Sequence, residues 1–291
     1  MRKQRDGLAG FRTVALVATA MLAFAANSLL CRLALQQGSI DPASFASIRL
    51  VSGALALIVI AKVRTGHSLS SHADWISAVM LFAYIAFFSF AYLALSAGTG
   101  ALILFGCVQL TMLGAGLRAG EMFDAIAWFG LALAFAGLVY LVSPGIEAPP
   151  LFGAASMAIA GVAWGVYSLR GRNVIDPLAA TAGNFARAAL PAIALNLAFI
   201  SGSHISKGGF ILAVASGAIT SGAGYVVWYA ALRHLSAMRA ATVQLSVPLI
   251  AAIGGAVFLS ETVTPRLTVA AFAILGGIAL VLTRRGRSAR S

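Results

Sequence analysis

The sequence predicts an all-α integral membrane protein of ten transmembrane helices, arranged as two inverted five-helix repeats with both termini in the cytoplasm. Three observations predict it. The 291-residue chain is 60% hydrophobic and 10% charged, and apolar runs of about 20 residues, long enough to cross a hydrocarbon core, recur along it. The second half repeats the first at an offset of about 140 residues. The basic residues gather in alternate loops.

The spans fall at 13–35, 43–61, 75–95, 99–117, 124–142, 151–169, 178–200, 208–232, 239–259 and 266–283. Residues 1–143 form the first repeat and 144–291 the second, with Pro144, Pro149 and Pro150 at the junction. Ala23, Ser28, Leu29 and Arg32 recur as Ala163, Ser168, Leu169 and Arg172, and Leu95-Ser96-Ala97 recurs as Leu235-Ser236-Ala237. Gly114, Glu121 and Gly137 recur as Gly254, Glu261 and Gly277. Five spans per repeat is odd, so the second copy enters the bilayer from the opposite side. Such inverted repeats build many secondary transporters, with the binding site where the halves meet.

Charge fixes the orientation. Arg2, Lys3, Arg5 and Arg12 precede span one; Lys62 and Arg64 follow span two; Arg118 follows span four. Arg170 and Arg172 follow span six, Arg233 and Arg239 flank the turn after span eight, and Arg284, Arg285, Arg287 and Arg290 form the tail. Those 15 of the 20 basic residues share one face. Loops 36–42, 96–98 and 143–150 carry none. This is the positive-inside pattern, and it accounts for the net charge of +12 without nucleic acid. Residues 1–26 look like a cleavable signal, but their repeat partner around Trp164 predicts that they are retained. Cys31 and Cys107 lie inside spans, so no disulfide is expected.

Local chemistry supports the segmentation. Asp41-Pro42 and Asp176-Pro177 stand at the entry to the second span of each half, where Asp caps and Pro tolerates the first turn. Loop 62–74 is polar and is expected to be cytoplasmic, with a short surface helix. The span glycines, Gly114 and Gly116, Gly254 and Gly255, Gly276 and Gly277, are expected to let backbones approach.

All eight acidic residues fall in loops or at span ends, and the histidines at 67, 72, 204 and 234 are peripheral. Proton-driven transporters use buried carboxylates or histidines as relays, so a facilitator is favoured. Paired carboxylates, a nucleophile–base pair, zinc ligands and a phosphate-binding loop are missing at membrane depth. No enzymatic activity, metal or cofactor is expected. Glu121 and Glu261, at the ends of spans four and nine, read as helix-end structure rather than coupling groups.

Polar and aromatic residues on the apolar helices carry the candidate site. Phe24 and Asn27 on span one are matched by Trp164 and Tyr167 on span six, each pair three apart and on one helix face. Tyr84 and Phe88 share a face of span three; Tyr225, Trp228 and Tyr229 lie on span eight; Gln109 is in span four; Gln244, Ser246 and Pro248 are in span nine. Together they would form a pocket with aromatic walls and a few hydrogen-bonding groups. Span-one and span-six pairs should meet near the pseudo-twofold axis. Arg49 in span two and Arg187 in span seven occupy matching places, roughly 9 Å and 14 Å into their helices. They serve either as a counter-charge for a substrate carboxylate, or structurally, pairing with backbone carbonyls or a helix C-terminus.

Several of these residues carry a family resemblance. The stretch from Ser246-Val247-Pro248 through Phe258-Leu259-Ser260-Glu261-Thr262 to Gly276-Gly277 resembles the ninth-to-tenth span signature of the drug/metabolite transporter superfamily, in its ten-span branch with two EamA-type repeats. Ala163-Trp164-Gly165 with Arg172, and Phe45 with Arg49, resemble its first-and-second span pattern. Phe24 departs from the family's frequent Trp, and Val108-Gln109 stands where the ninth span has Pro248. The resemblance implies a small-metabolite exporter of a bacterial inner membrane, working by alternating access, with amino acids, aromatic or otherwise hydrophobic, as first choice. Export of drugs, nucleosides or phosphorylated sugars is the alternative, and a non-transporting receptor or scaffold the more distant one. The expected partners are a small-molecule substrate and the lipid bilayer, with the chain a monomer or weak dimer.

Overall fold

The computed structural model describes residues 2–65, 74–120, 122–171, 174–235 and 237–288, with side chains over 11–64, 74–120, 122–171, 174–235 and 240–283. Ten helices follow one another: α1 Arg2–Gln36, α2 Pro42–Thr65, α3 Trp75–Ala91, α4 Ala97–Arg118 and α5 Ala125–Val142. The second set is α6 Leu151–Gly171, α7 Pro177–Ala198, α8 Lys207–Leu232, α9 Ala237–Gln244 continuing as Ser246–Leu259, and α10 Pro265–Ser288. Among the described residues nine are long and apolar enough to cross a membrane by length and composition; α3, at 17 residues, is the shorter one. The all-α, ten-helix expectation holds. Span three, expected to reach residue 95, instead ends its helix at Ala91 in a turn. Two interruptions were not expected: Leu245 breaks α9, and Ala215–Ala223 in α8 is π-helical. Loop 66–73, with His67, His72 and the expected surface helix, lies outside the described residues, as do Glu121, Arg172 and Ser236.

Helix starts follow the chemistry of their caps. Asp74, Asp124 and Asp176 each accept backbone amides of the first turn, as from Ile76 and Ala127 at 2.8 Å and Ala179 at 3.1 Å. Asp41 accepts the Ser44 amide at 2.9 Å and, with its other oxygen, the His204 amide at 3.1 Å. That second bond ties the α1–α2 turn to the α7–α8 turn, where Ile40 and Ile205 also form an antiparallel bridge. Burial opposes ionisation of Asp41. The Ser44 hydroxyl and amide, the His204 amide and the His204 ring outweigh it and hold the carboxyl below its ordinary range.

Packing obeys a two-fold exchange of the repeats. Helices α2 and α7, α4 and α9, and α5 and α10 are repeat mates and pack on each other. Where mates do not pair, contacts swap: α3 on α6 matches α8 on α1, α4 on α6 matches α9 on α1, and α3 on α7 matches α8 on α2. Ends assigned to one membrane face by charge meet in space. Asp74 before α3 pairs with Arg170 of α6 at 3.2 Å.

Glycines set the closest approaches. A Cβ on Gly130 of α5 would stand 2.6 Å from the Gly277 carbonyl oxygen of α10, and one on Gly254 would stand 2.6 Å from Leu29. Gly114 and Gly276 have open space beside them, so the packing role expected of all the span glycines fails at these two. Arg266 of α10 is buried and clamps the end of α5. Its guanidinium donates to the carbonyls of Leu141, Tyr140, Ile146 and Ser143. This answers the orphan carbonyls and negative dipole end of α5. Both cysteines are free and buried.

Two outcomes follow from these contacts. Gly130→Val should lower the melting point of the detergent-solubilised protein by the overpacking penalty, about 1–3 kcal/mol, whereas Gly276→Val should leave it unchanged. Equal effects would refute the close α5–α10 contact. Asp41, with its folded pKa lowered, stabilises above its unfolded pKa of about 3.9 and loses that contribution as pH falls through the folded value. The wild type should therefore outmelt Asp41→Asn by a constant margin above about pH 5, closing in more acidic buffer. A margin that grows on acidification would contradict this.

Candidate functional site

A cavity of about 710 Å³ opens between the ends of α2, α6, α7, α8 and α9. Arg64, Gly171, Asp176 and Arg233 stand at its mouth, which is the end rich in basic residues. Among the described residues 22 line it, and of these the first half supplies Phe24, Arg64, Gln109 and Met112. Trp164 and Tyr167 of α6, Tyr225, Trp228 and Tyr229 of α8, and Gln244 of α9 form much of the wall. The symmetric scaffold therefore encloses an asymmetric space.

The aromatic wall is interlocked. Trp164 stacks on Tyr225 at 5.3 Å between centroids and on Tyr167 at 5.4 Å. Phe24 meets Tyr225 and Trp228 at 5.9 and 5.8 Å. The Phe24/Asn27 and Trp164/Tyr167 pairs were expected to meet across the pseudo-twofold axis. Instead Tyr225 of α8 stands between Phe24 and Trp164, because α1 packs on α8 while α6 packs on α3 and α4. Gln109 is buried, lines the cavity and donates to the Ala241 carbonyl at 3.3 Å, bracing the first segment of α9.

The remaining candidates lie elsewhere. Asn27 is buried behind the wall, its Oδ1 accepting from Ser216 at 2.9 Å, Thr220 at 2.5 Å and Ser221 at 3.4 Å. Those three hydroxyls lie on the π-helical stretch of α8, a rare geometry that clusters at functional sites. Tyr84 and Phe88 are buried on α3 with Arg49 against them. The Ser246 hydroxyl bonds the Val243 carbonyl at 2.7 Å, across the break in α9, and is not part of the cavity wall. Arg187 is half-buried over the Trp75 ring at 5.8 Å. Arg49 is wholly buried, whereas Arg187 is not; both guanidinium groups lie over aromatic rings, and each has a buried Nη1 without a hydrogen-bond partner.

The opposite end carries a polar network that sequence reasoning placed only in part, beside a second cavity of about 440 Å³ lined by Arg32 and Glu261. Arg32 of α1 pairs with Glu261 at 3.0 Å and donates to the Tyr92 and Leu93 carbonyls at the end of α3. Glu261 accepts the Ala97 amide at 2.8 Å, at the start of α4. Glu261 is thus helix-end structure, as expected, and also an ion-pair partner. Its repeat relation to Glu121 gave no hint of Arg32 as the partner. The serines and threonine around Asn27 were missed too, because hydroxyls on apolar helices are common and the π register breaks the spacing that would have grouped them.

Ten helices in two halves that exchange contacts, with a cavity lined by both, is an arrangement that membrane transporters use. Comparison with known proteins agrees. The profile of the EamA-like transporter family matches residues 151–283. An uncharacterized protein of Pseudomonas aeruginosa is 51% identical over 280 residues, covering 96% of this chain and 98% of its own. An uncharacterized transporter of Archaeoglobus fulgidus is 26% identical over 163 residues, covering 54% of this chain and 57% of its own. A solved crystal structure superposes with a TM-score of 0.66 at 19% identity, covering 92% of this chain and 96% of that one, and shares the fold. The chain belongs to the EamA-like transporter family, within the drug/metabolite transporter superfamily, and is a multi-pass membrane transporter of small molecules.

Replacing Glu261 by Ala removes the acceptor for Ala97 N–H and leaves Arg32 unpaired, a cost of about 1–3 kcal/mol. Hydrogen exchange at the Ala97 amide should quicken roughly tenfold or more, while the Ala127 amide, capped by Asp124, should not change. Unaltered exchange at Ala97 would show that Glu261 does not hold this end.

Proposed function

We propose that this protein is a secondary transporter of facilitator type. It exports small metabolites, foremost amino acids, aromatic and other hydrophobic ones included, across a bacterial inner membrane by alternating access. The observation that carries the reading is the aromatic cavity of about 710 Å³, open at the basic end, beneath an opposite end held by the Arg32–Glu261 pair. Its volume lies within the range of small-molecule sites. Trp164, Tyr225, Phe24 and Trp228 give it aromatic surface suited to an apolar or aromatic side chain, and Gln109 and Gln244 supply polar groups. Tyr167 completes the wall.

The facilitator form rests on where the carboxylates lie. Asp41, Asp74, Asp124 and Asp176 are spent on helix starts, and Glu261 on the ion pair. Opening at the other face then requires the Arg32–Glu261 contact to part while the wall closes around the substrate. A ligand drives that exchange only as far as it binds the two states unequally.

Counterflow in proteoliposomes with a panel of labelled amino acids and nucleosides tests this. Amino acids should exchange without a pH gradient. Exchange of nucleosides alone would overturn the substrate class, and strict dependence on the gradient would overturn the facilitator. Trp164→Ala removes the stacks on Tyr225 and Tyr167, each about 0.5–1.5 kcal/mol. It should weaken half-saturation roughly tenfold at normal expression. Unchanged kinetics would remove Trp164 from the binding wall.

A further inference from the structure

We propose that Arg49 is an anion site that takes the carboxylate of the transported molecule, reached from the cavity through the Tyr84–Trp164–Tyr225 layer. The inference rests on the transport reading above and narrows it to carboxylate-bearing substrates.

The starting point is an unanswered charge. Arg49 is 0% exposed, and a guanidinium does not give up its proton. Its Nε donates to the Ser221 hydroxyl at 3.2 Å and its Nη2 to the Tyr84 hydroxyl at 3.1 Å. Nη1 is buried with no hydrogen-bond partner. The rings of Phe88 and Tyr84, at 4.9 and 5.4 Å from the guanidinium carbon, supply the rest of its surroundings. All these partners are neutral. Among the described residues the ion pairs are Arg32–Glu261 and Arg170–Asp74, neither of which reaches it. A buried charge without a counter-charge is costly, and within membrane-spanning segments such a residue marks a binding path.

The same chain shows what a structural arginine looks like. Arg266 is also buried, and four backbone carbonyls surround its guanidinium. Arg49 has no such carbonyl cage. Two hydroxyls and two ring faces hold the guanidinium in place, while Nη1 has no partner and Nη2 keeps a second N–H beside it. A carboxylate is the group that a guanidinium fork matches with two parallel hydrogen bonds, and one guanidinium balances one negative charge.

Position completes the case. Tyr84, hydrogen-bonded to Arg49, lies 4.9 Å from Trp164 between ring centroids. Trp164 and Tyr225 line the cavity, and Ser221 precedes Tyr225 by one turn on α8. Arg49 is therefore one aromatic layer behind the wall. Gly217 of α8 sits so close to the Arg49 backbone that an added Cβ would stand 2.9 Å from the Arg49 Cα, which locks α2 to the π-helical stretch. A substrate whose carboxylate passes that layer keeps its side chain among the rings of the cavity.

The test is competition in the counterflow assay. L-amino acids from the labelled panel are compared with their own amides and with the amines left by decarboxylation, L-phenylalanine against phenylalaninamide and phenethylamine being one set. In the wild type the acid should compete at least about 30-fold better than either analogue, the equivalent of about 2 kcal/mol for a buried charge pair. Arg49→Gln should erase that ratio by weakening the acid and sparing the amide. Arg49→Lys, which keeps the charge and the fold but not the fork, should give an intermediate ratio. Amino-acid exchange in which acid and amide compete equally in the wild type, or fall together in both variants, overturns the Arg49 site and leaves the transport reading standing. Failure of every amino acid to exchange overturns the substrate reading and this site with it.

Discussion

A guanidinium carried into an apolar interior cannot shed its charge, and this fold is arranged around that constraint. Arg266 is answered by four carbonyls at the end of α5 and so pins α10 to its repeat mate. Arg32 is answered by Glu261 and by the carbonyls that close α3, and so joins α1, α3, α4 and the α9–α10 turn at one end. Arg49 is answered by hydroxyls and rings alone. These arginines produce three results: a clamp between repeat mates, a contact that joins the two halves, and a buried charge with one nitrogen left without a partner. The aromatic residues around the cavity matter partly because they separate the third case from water.

Much of the fold was legible because it depends on one-dimensional signals. Apolar length located the helices, and Asp41 and Asp176 marked helix starts with side chains that act within their own first turn. The end of α3 was misplaced because Tyr92, Leu93 and Ala94 are as apolar as a helix, while the turn they form is fixed by Arg32 from another helix. The π-helical stretch of α8 escaped notice because its cause is tertiary. Gly217 must pass the Arg49 backbone, and Ser216, Thr220 and Ser221 converge on Asn27, none of which is near in sequence. The candidate site divided along the same line. Phe24, Gln109, Trp164, Tyr167, Tyr225, Trp228 and Gln244 share the cavity, since their type and helix position suffice to place them. Ser246 does not, since the break at Leu245 turns its hydroxyl back on its own helix.

The repeat separates scaffold from specificity. Of the mates that pack on each other, α5 and α10 use small residues and carry the symmetry. Mates that exchange partners, α1 with α6 and α3 with α8, carry most of the aromatic groups, and there the halves diverge. Phe24 and Trp164 are not equivalent partners across an axis but two neighbours of Tyr225. One inverted architecture thus supports two unlike half-walls, with most of the lining drawn from the second repeat.

The two thiols, described only as free and buried, have a practical consequence. Cys31 is fully enclosed and Cys107 is 8% exposed, and the sequence contains no third cysteine. The folded protein therefore presents almost no thiol to a water-soluble alkylating reagent. A reporter cysteine on the cavity wall or the outer turn would be modified against a nearly silent background, without deleting any native residue. The molecule comes already prepared for accessibility measurements that would time the opening of each face.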